Sequence, residues 1–270
     1  MGRYLPAVLL AVVVAHSAEV SRPRSYHLLE QRAQQFAEAL VAGRGADIYE
    51  LFVPAFRAEN DFGRFDSTLA AWYDGRRTSI GRARVQNVSG IGGSVATWVV
   101  FRGEIDYSYV FGSWLFAADS WRLTWLSNII DQSFQYGRRD TAELRRVATA
   151  ALRHLVLDRG IRAIHRRLPI PDTLVVVLRD IGGTGELAVP GHVVVAVEPA
   201  RLRRPTDLPG VPYLFDFALV RIFDDVALCA VDLKPPEQGR PGTLDRRRGL
   251  QLYFRRGPGG WEFLTQGRTW

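Results

Sequence analysis

An α+β fold is the class that this sequence predicts, for three reasons. Four strand-like runs rich in Val, Ile, Trp, Tyr and Phe fill residues 82–130 in near-alternating order, which is typical of a half-buried antiparallel sheet. Helical periodicity precedes these strands, and the order of helix and then strands recurs after residue 140. With 270 residues and 47% hydrophobic content, the chain can bury one large core or two ordinary ones.

Helical segments of the first half are predicted at residues 26–41, 47–52 and 67–73. The first carries its apolar residues three and four apart, including Leu29, Phe36 and Leu40, so they form one helix face. Gly43 and Gly45 end it. Turns near Gly90, Gly103 and Asp119 divide the four strands that follow.

The second half opens on Asp140, three residues before Glu143, as in a capping box. A helix follows, interrupted at Gly160 and ended before Pro169. Antiparallel strands are predicted at residues 173–178, 192–197, 215–223, 226–233, 250–255 and 261–265. The domains are therefore predicted as 24–137 and 140–270, with a diverged copy of the first domain as one interpretation of the second.

The N-terminus is typical of a secretory signal peptide. Arg3 supplies a positive charge, residues 5–15 are apolar apart from Pro6, and small residues surround Ala18. The apolar run is well short of the ~20 residues that span a bilayer. We therefore predict a signal peptide over residues 1–18 and an exported protein, periplasmic or extracellular.

If this prediction is right, the mature chain begins near Ala18. N-terminal sequencing of the exported protein measures this directly. An intact Met1 on soluble, correctly localised protein would contradict export by cleavage.

Charge separates the two halves. Residues 1–137 contain 13 basic and 13 acidic residues, and residues 138–270 contain 22 and 15, so the whole excess of +7 lies in the second half. The arginine run Arg246, Arg247 and Arg248 predicts a contact with an anionic membrane or wall surface; a solvated face is the alternative. Because the arginine clusters contain no interleaved aromatic residues, they argue against nucleic acid as a partner.

Cysteine and lysine each occur only once in the chain. Cys229 is the only cysteine and stands in an apolar run, so we predict a buried strand position rather than a nucleophile. Lys234 is the only lysine among 35 basic residues. We attribute that skew to a GC-rich, bacterial genome rather than to selection for guanidinium groups.

The last strand of the first half contains Trp121, Leu123 and Trp125, a Trp-x-aliphatic-x-Trp strand. Together with helices that precede a long curved antiparallel sheet, it makes residues 26–136 resemble the nuclear-transport-factor-two-like superfamily, also called the cystatin-like or ketosteroid-isomerase-like cone fold. The resemblance implies helices packed on the concave side of the sheet. Both indoles are expected on that side, because residues four apart on a strand share a face.

The enzymes of that superfamily place an Asp or His, often with a Tyr, inside the cone. The resemblance therefore implies Asp66 as a carboxylate and Tyr107 or Tyr109 as its partner in ligand binding. Tyrosines among apolar neighbours are equally ordinary core residues with hydroxyls at the rim. His27, the only other candidate of the first half, would have to leave the first helix to reach the cone.

Other catalytic motifs are incomplete, because residues that their chemistry requires are missing. The glycines at 182, 183 and 185 have no following Gly-Lys-Ser/Thr, so a phosphate loop lacks its lysine and its magnesium ligand. The five histidines form no His-Glu-x-x-His, and no serine lies in a Gly-x-Ser-x-Gly elbow. We predict no metal and no cofactor.

Two classes of function stay open, because the superfamily includes both enzymes and binding modules. We favour an exported, non-catalytic binding or accessory protein. Its cone domain would hold a small apolar ligand or a protein partner, and its basic domain would lie on an anionic surface. The alternative is a small-molecule lyase or isomerase with Asp66 as the base and Tyr107 or Tyr109 as the donor.

Overall fold

A computed structural model describes residues 24–104, 107–131, 133–134, 140–164, 166, 168–179, 181, 187–197, 211–234 and 248–269. It contains helices and two sheets, which confirms the α+β class. The predicted signal peptide, the glycine-rich stretch at 182–185, Arg246 and Arg247 lie outside the described residues. No helix in the described part of the chain is long and apolar enough to span a membrane.

The first half consists of four helices followed by a four-stranded sheet. The helices are α1 (Arg24–Val41), α2 (Gly45–Glu50), α3 (Pro54–Glu59) and α4 (Phe62–Tyr73). The strands are β1 (Thr78–Ser89), β2 (Gly92–Phe101), β3 (Tyr107–Ala117) and β4 (Ser120–Leu126), paired antiparallel in chain order. The sequence predicted all of these except α3, a helix of 6 residues.

The helices cover one face of this sheet, which we call its inner face; the opposite face is its outer face. Leu29, Phe36 and Leu40 of α1 belong to one buried cluster with Val95 and Val99 of β2. The predicted packing of α1 on the sheet is therefore confirmed. This packing removes two apolar surfaces from water, neither of which is stable alone.

Trp121 and Trp125 do not share a face, contrary to the expectation from their spacing. Ser113 pairs with Trp125 and Trp114 pairs with Leu123, so β4 carries one extra residue, Thr124, at a β-bulge. A bulge shifts the alternation of side chains by one residue. Trp121 is therefore buried in the core, whereas Trp125 is 36% exposed.

The second half has one long helix and a six-stranded sheet. Its helices are α5 (Thr141–Val156) and a short 3-10 helix at Gly160–Ala163. Its strands are β5 (Thr173–Leu178), β6 (Val193–Val197), β7 (Leu214–Phe223), β8 (Val226–Lys234), β9 (Arg248–Gly257) and β10 (Gly260–Thr269), in the spatial order β10-β9-β8-β7-β5-β6.

The prediction of an entirely antiparallel second sheet is wrong for one edge, because β5 pairs parallel with both β6 and β7. Strand alternation alone does not reveal pairing direction. The first sheet has four strands and only antiparallel pairs, so the two halves differ in topology.

α5 packs on one face of the second sheet, as its sequence predicts. The Asp140 side chain accepts hydrogen bonds from the backbone N–H groups of Ala142 and Glu143 and so caps the helix. The predicted apolar face is fully buried and comprises Leu144, Val147, Ala148, Ala151, Leu152 and Leu155. The helix ends at Val156. Pro169 had predicted an end at Leu168, twelve residues later.

The two halves share a buried contact. Phe223, Val226 and Tyr253 of the second sheet belong to the core cluster of the first half. Tyr253 approaches Gly92 so closely that a Cβ there would lie 1.8 Å from the phenol oxygen, so any side chain at residue 92 would displace the Tyr253 ring. A polar cavity of about 240 Å³, lined by Ser94 and Ser113 among others, remains beside this contact.

Candidate functional site

A groove opens in the second half between α5 and the end of the β9–β10 hairpin. α5 crosses the sheet and contacts β7, β8 and β10. The groove has a volume of about 560 Å³ and is lined by residues of α5, of the turn after it, and of the hairpin. A volume of this size accommodates a small molecule or a short segment of polymer.

Arginine side chains form the helix side of this groove. Arg145, Arg146 and Arg153 line it, and Asp158 is the single carboxylate among the described lining residues. Arg146 and Arg153 are seven residues apart, two helical turns, so they lie on the same face of α5. Both are exposed. The groove therefore favours an anionic ligand.

Glu143 connects the helix to the hairpin at one end of the groove. One carboxylate oxygen accepts a hydrogen bond from the Trp261 indole at 2.9 Å; the other lies 2.6 Å from Arg256 and 2.5 Å from Arg146. The Trp261 hydrogen bond, assisted by the two guanidinium groups, outweighs burial and lowers the pKa of Glu143. These contacts hold the groove in a preformed shape.

The floor of the groove is an aromatic surface. The His154 ring lies 3.7 Å from the Phe263 ring, with only 10° between their planes. Phe263 is 41% exposed, and the buried Phe254 supports it from below. Such a flat apolar surface beside arginines suits a ligand that combines a ring or an apolar part with negative charge.

The groove is better suited to binding than to covalent catalysis. Asp158 lies 3.2 Å from Nδ1 of His154, an arrangement that orients an imidazole, but Phe263 covers the face of that ring. Thr149 supplies the only hydroxyl among the described lining residues, and none of them is a cysteine. Among the described lining residues, therefore, no activated nucleophile stands beside the imidazole.

The site residues implied for the first half do not come together. Asp66 is an exposed residue of α4 whose carboxylate lies against Gly45, on the helical side of the sheet. Tyr109 pairs with Trp98 and stacks on Phe111, which is 47% exposed, on the outer face. Tyr107 pairs with Val100 through its backbone; its side chain lies outside the described part. The sheet thus separates Asp66 from Tyr109.

The arginine run at 246–248 is represented in the structure by Arg248 alone. Arg248 is half-buried, and its guanidinium donates to the backbone carbonyl of Ile164 at 3.4 Å. This contact ties β9 to the 3-10 helix region.

Cys229 is fully buried on β8, as predicted. Burial raises the pKa of its thiol, because an apolar environment disfavours the thiolate. A buried, protonated thiol is neither a nucleophile nor a metal ligand.

A buried ion cluster joins three strands of the second sheet. Asp216 of β7 is fully buried and accepts three hydrogen bonds from Arg179, after β5, at 2.9, 3.1 and 2.7 Å. Lys234, at the end of β8, also donates to it. Burial alone would raise the pKa of Asp216, but the two cations outweigh it and lower the pKa. The only lysine of the chain therefore acts as a partner of a carboxylate.

Sequence reasoning found the parts of the groove but not the groove itself. Arg145 and Arg146 stand out as a basic pair, and Trp261 and Phe263 stand out on the last hairpin. These stretches are more than 100 residues apart, and no local pattern places them together.

Comparison with known proteins adds little to this geometry. No protein-family model matches the chain, and no curated protein is significantly similar to it. A solved structure described as an "Ntf2 like protein involved in plasmid conjugation" aligns over 90% of this chain and 96% of its own, with 10% identity and a TM-score of 0.24. Likeness at this level carries no argument about fold, ligand or activity.

Proposed function

We propose that the protein is a non-catalytic binding protein whose second half binds an anionic ligand in the groove between α5 and the β9–β10 hairpin. The observation that supports this most directly is the arginine side of the groove facing a half-exposed aromatic floor. Arg146 and Arg153 would neutralise the charge, and Phe263 would contact the apolar part of the ligand.

Packed aromatic rings fill part of the inner face of the first half, and this supports the proposal. The rings of Phe52 and Phe56 stack at 4.1 Å, and Phe134 stacks on Phe56 at 6.1 Å. All three are fully buried. Because packed rings fill this part of the inner face, we place the ligand in the second half and not in the first.

The anionic dye 8-anilinonaphthalene-1-sulfonate is a suitable probe, since it joins a sulfonate to aromatic rings. We expect saturable binding that weakens with salt, because exposed charges are screened beyond ~8 Å at physiological ionic strength. Replacing Arg146 and Arg153 together by Ala should weaken binding roughly tenfold, equal to ~1.4 kcal/mol. Fluorescence titration measures both effects.

Two controls make the test specific. Arg162 is an exposed arginine of the same half that does not line the groove, so Arg162→Ala should bind the dye like the wild type. The uncharged analogue N-phenyl-1-naphthylamine should bind weakly and be insensitive to the double substitution. Equal binding of the two dyes, or loss of binding in Arg162→Ala, would show that the groove is not an anion site.

A further inference from the structure

The outer face of the first sheet carries rows of side chains that combine charge with aromatic rings. Arg82 of β1 pairs with Trp98 of β2, which pairs with Tyr109 of β3. In the next row, Arg84 lies beside Ala96, and Ala96 beside Phe111. Paired residues point to the same face of a sheet, so each row has an arginine at one end and an aromatic ring at the other.

These side chains lie on the face away from the helices. Val85, Val99 and Val110, which alternate with them, are buried in the core of the inner face. Arg82 and Arg84 are exposed. Phe111 is 47% exposed, and Trp125 extends the aromatic surface towards β4. We call the surface formed by Arg82, Arg84, Trp98, Tyr109 and Phe111 the platform.

The spacing of the platform suits a polymer with repeated charges and rings. Residues two apart on a strand are about 7 Å apart, so the two arginines and the two β3 rings repeat at that interval. The Tyr109 and Phe111 rings are 6.0 Å apart and nearly parallel, at 14°. Ala96, between Arg84 and Phe111, is itself buried.

The charge of this sheet is of one sign. Its strands contain Arg82, Arg84 and Arg122 and no aspartate or glutamate. The platform therefore attracts an anion, and its rings offer flat surfaces for stacking. Unpaired bases joined by phosphates present both groups at such intervals.

We propose that the platform binds single-stranded nucleic acid, with phosphates on Arg82 and Arg84 and bases stacked on Tyr109 and Phe111. This site is separate from the groove of the second half. The arginine clusters of the sequence argue against nucleic acid because they lack aromatic residues. The platform differs from them, since strand pairing brings arginines and rings together from distant positions.

An oligothymidine strand labelled with fluorescein tests the proposal by anisotropy. Each neutralised phosphate on a single strand contributes about −0.7 to the slope of log K against log salt, so two arginines predict a slope of about −1.4. Arg82→Ala with Arg84→Ala should bring the slope close to zero. Phe111→Ala should weaken binding roughly tenfold and leave the slope unchanged, because stacking releases no counterions.

Matched probes and variants decide between ligands. A duplex of the same sequence and an abasic strand should both bind far more weakly, because neither offers unpaired bases. Arg162→Ala, at an exposed arginine outside both the platform and the groove, should bind the oligonucleotide like the wild type. Since the substituted platform residues are exposed, circular dichroism should show an unchanged fold.

Three results would overturn the proposal. One is equal affinity for the oligonucleotide, the duplex and the abasic strand. Another is binding to phosphatidylglycerol vesicles, but not to the oligonucleotide, that Phe111→Ala abolishes. The third is self-association of the protein that Phe111→Ala removes, seen by sedimentation, without oligonucleotide binding. The last two would assign the platform to a membrane or to a second copy of the chain.

Discussion

Replacing Asp216 by Asn should lower the free energy of unfolding at neutral pH by about 3 kcal/mol. Removing one partner of a buried ion pair costs about 3–5 kcal/mol, because the remaining charge is left uncompensated. We expect the lower end of that range, since the side chains of Arg179 and Lys234 are 41% and 25% exposed and regain some hydration. Denaturant unfolding followed by circular dichroism measures the difference.

The loss should depend on pH in a definite direction. The pKa of Asp216 is lowered in the folded protein, whereas an unfolded aspartate titrates near pH 3.9. The stabilisation is therefore fully present above about pH 4 and disappears as the pH falls through the folded pKa. The difference in the free energy of unfolding between the wild type and Asp216→Asn should therefore become smaller at acidic pH.

Asp225 provides the matched control. Its carboxylate is 64% exposed and lies 3.8 Å from Arg255, and exposed pairs of this kind contribute about 0–1 kcal/mol. Asp225→Asn should therefore have only a small effect on the free energy of unfolding. Similar losses for the two variants would mean that the Asp216 cluster does not stabilise the sheet.

Replacing Trp121 by Ala should cost about 3–5 kcal/mol of stability, as expected for a large side chain removed from a packed core. Trp121 is 1% exposed, contacts Phe116 and donates its indole N–H to the backbone carbonyl of Ser25 at 2.5 Å. It joins the first turn of α1 to the sheet. Denaturant unfolding measures the loss, with circular dichroism as the signal because the substitution removes a fluorophore.

Trp125 is the matched partner for this test, four residues further along the same strand. Because it is already 36% exposed, Trp125→Ala should cost only about 1 kcal/mol, near the range of surface substitutions. Trp121→Phe should restore part of the loss by filling most of the space. Equal losses for the two alanine variants would contradict the bulge at Thr124 and place both indoles on the inner face.

Trp121 and Trp125 show that the sequence pattern predicts a strand but does not predict a bulge within it. The alternation of residues in β4 indicates a strand correctly, because a strand with one buried face selects apolar residues at every second position. A bulge adds one residue without leaving a mark in composition. The face of Trp125 therefore depended on the register with Ser113, which is a tertiary property.

The two proposed sites likewise combine residues that stand out in the sequence with an arrangement that only tertiary contacts create. The basic excess of the second half and the aromatic strands of the first are visible in the composition. The groove exists because Glu143 binds Trp261, 118 residues away, and the platform exists because Arg82 pairs with Trp98 and Trp98 with Tyr109. The family resemblance implied Asp66 and Tyr109 as partners in one site. In the structure they lie on opposite sides of the first sheet.

Local sequence signals account for the elements of this protein: α1, α5 and the strands follow from periodicity, and Asp140, Gly90 and Gly103 mark boundaries by capping and turn chemistry. These signals are local, since each depends on neighbouring residues. Tertiary contacts account for the parallel pairing of β5, the burial of Asp216 beside Lys234, and the shape of the two surfaces that we propose as binding sites. Those features depend on contacts between residues far apart in the chain, which periodicity and propensity do not encode.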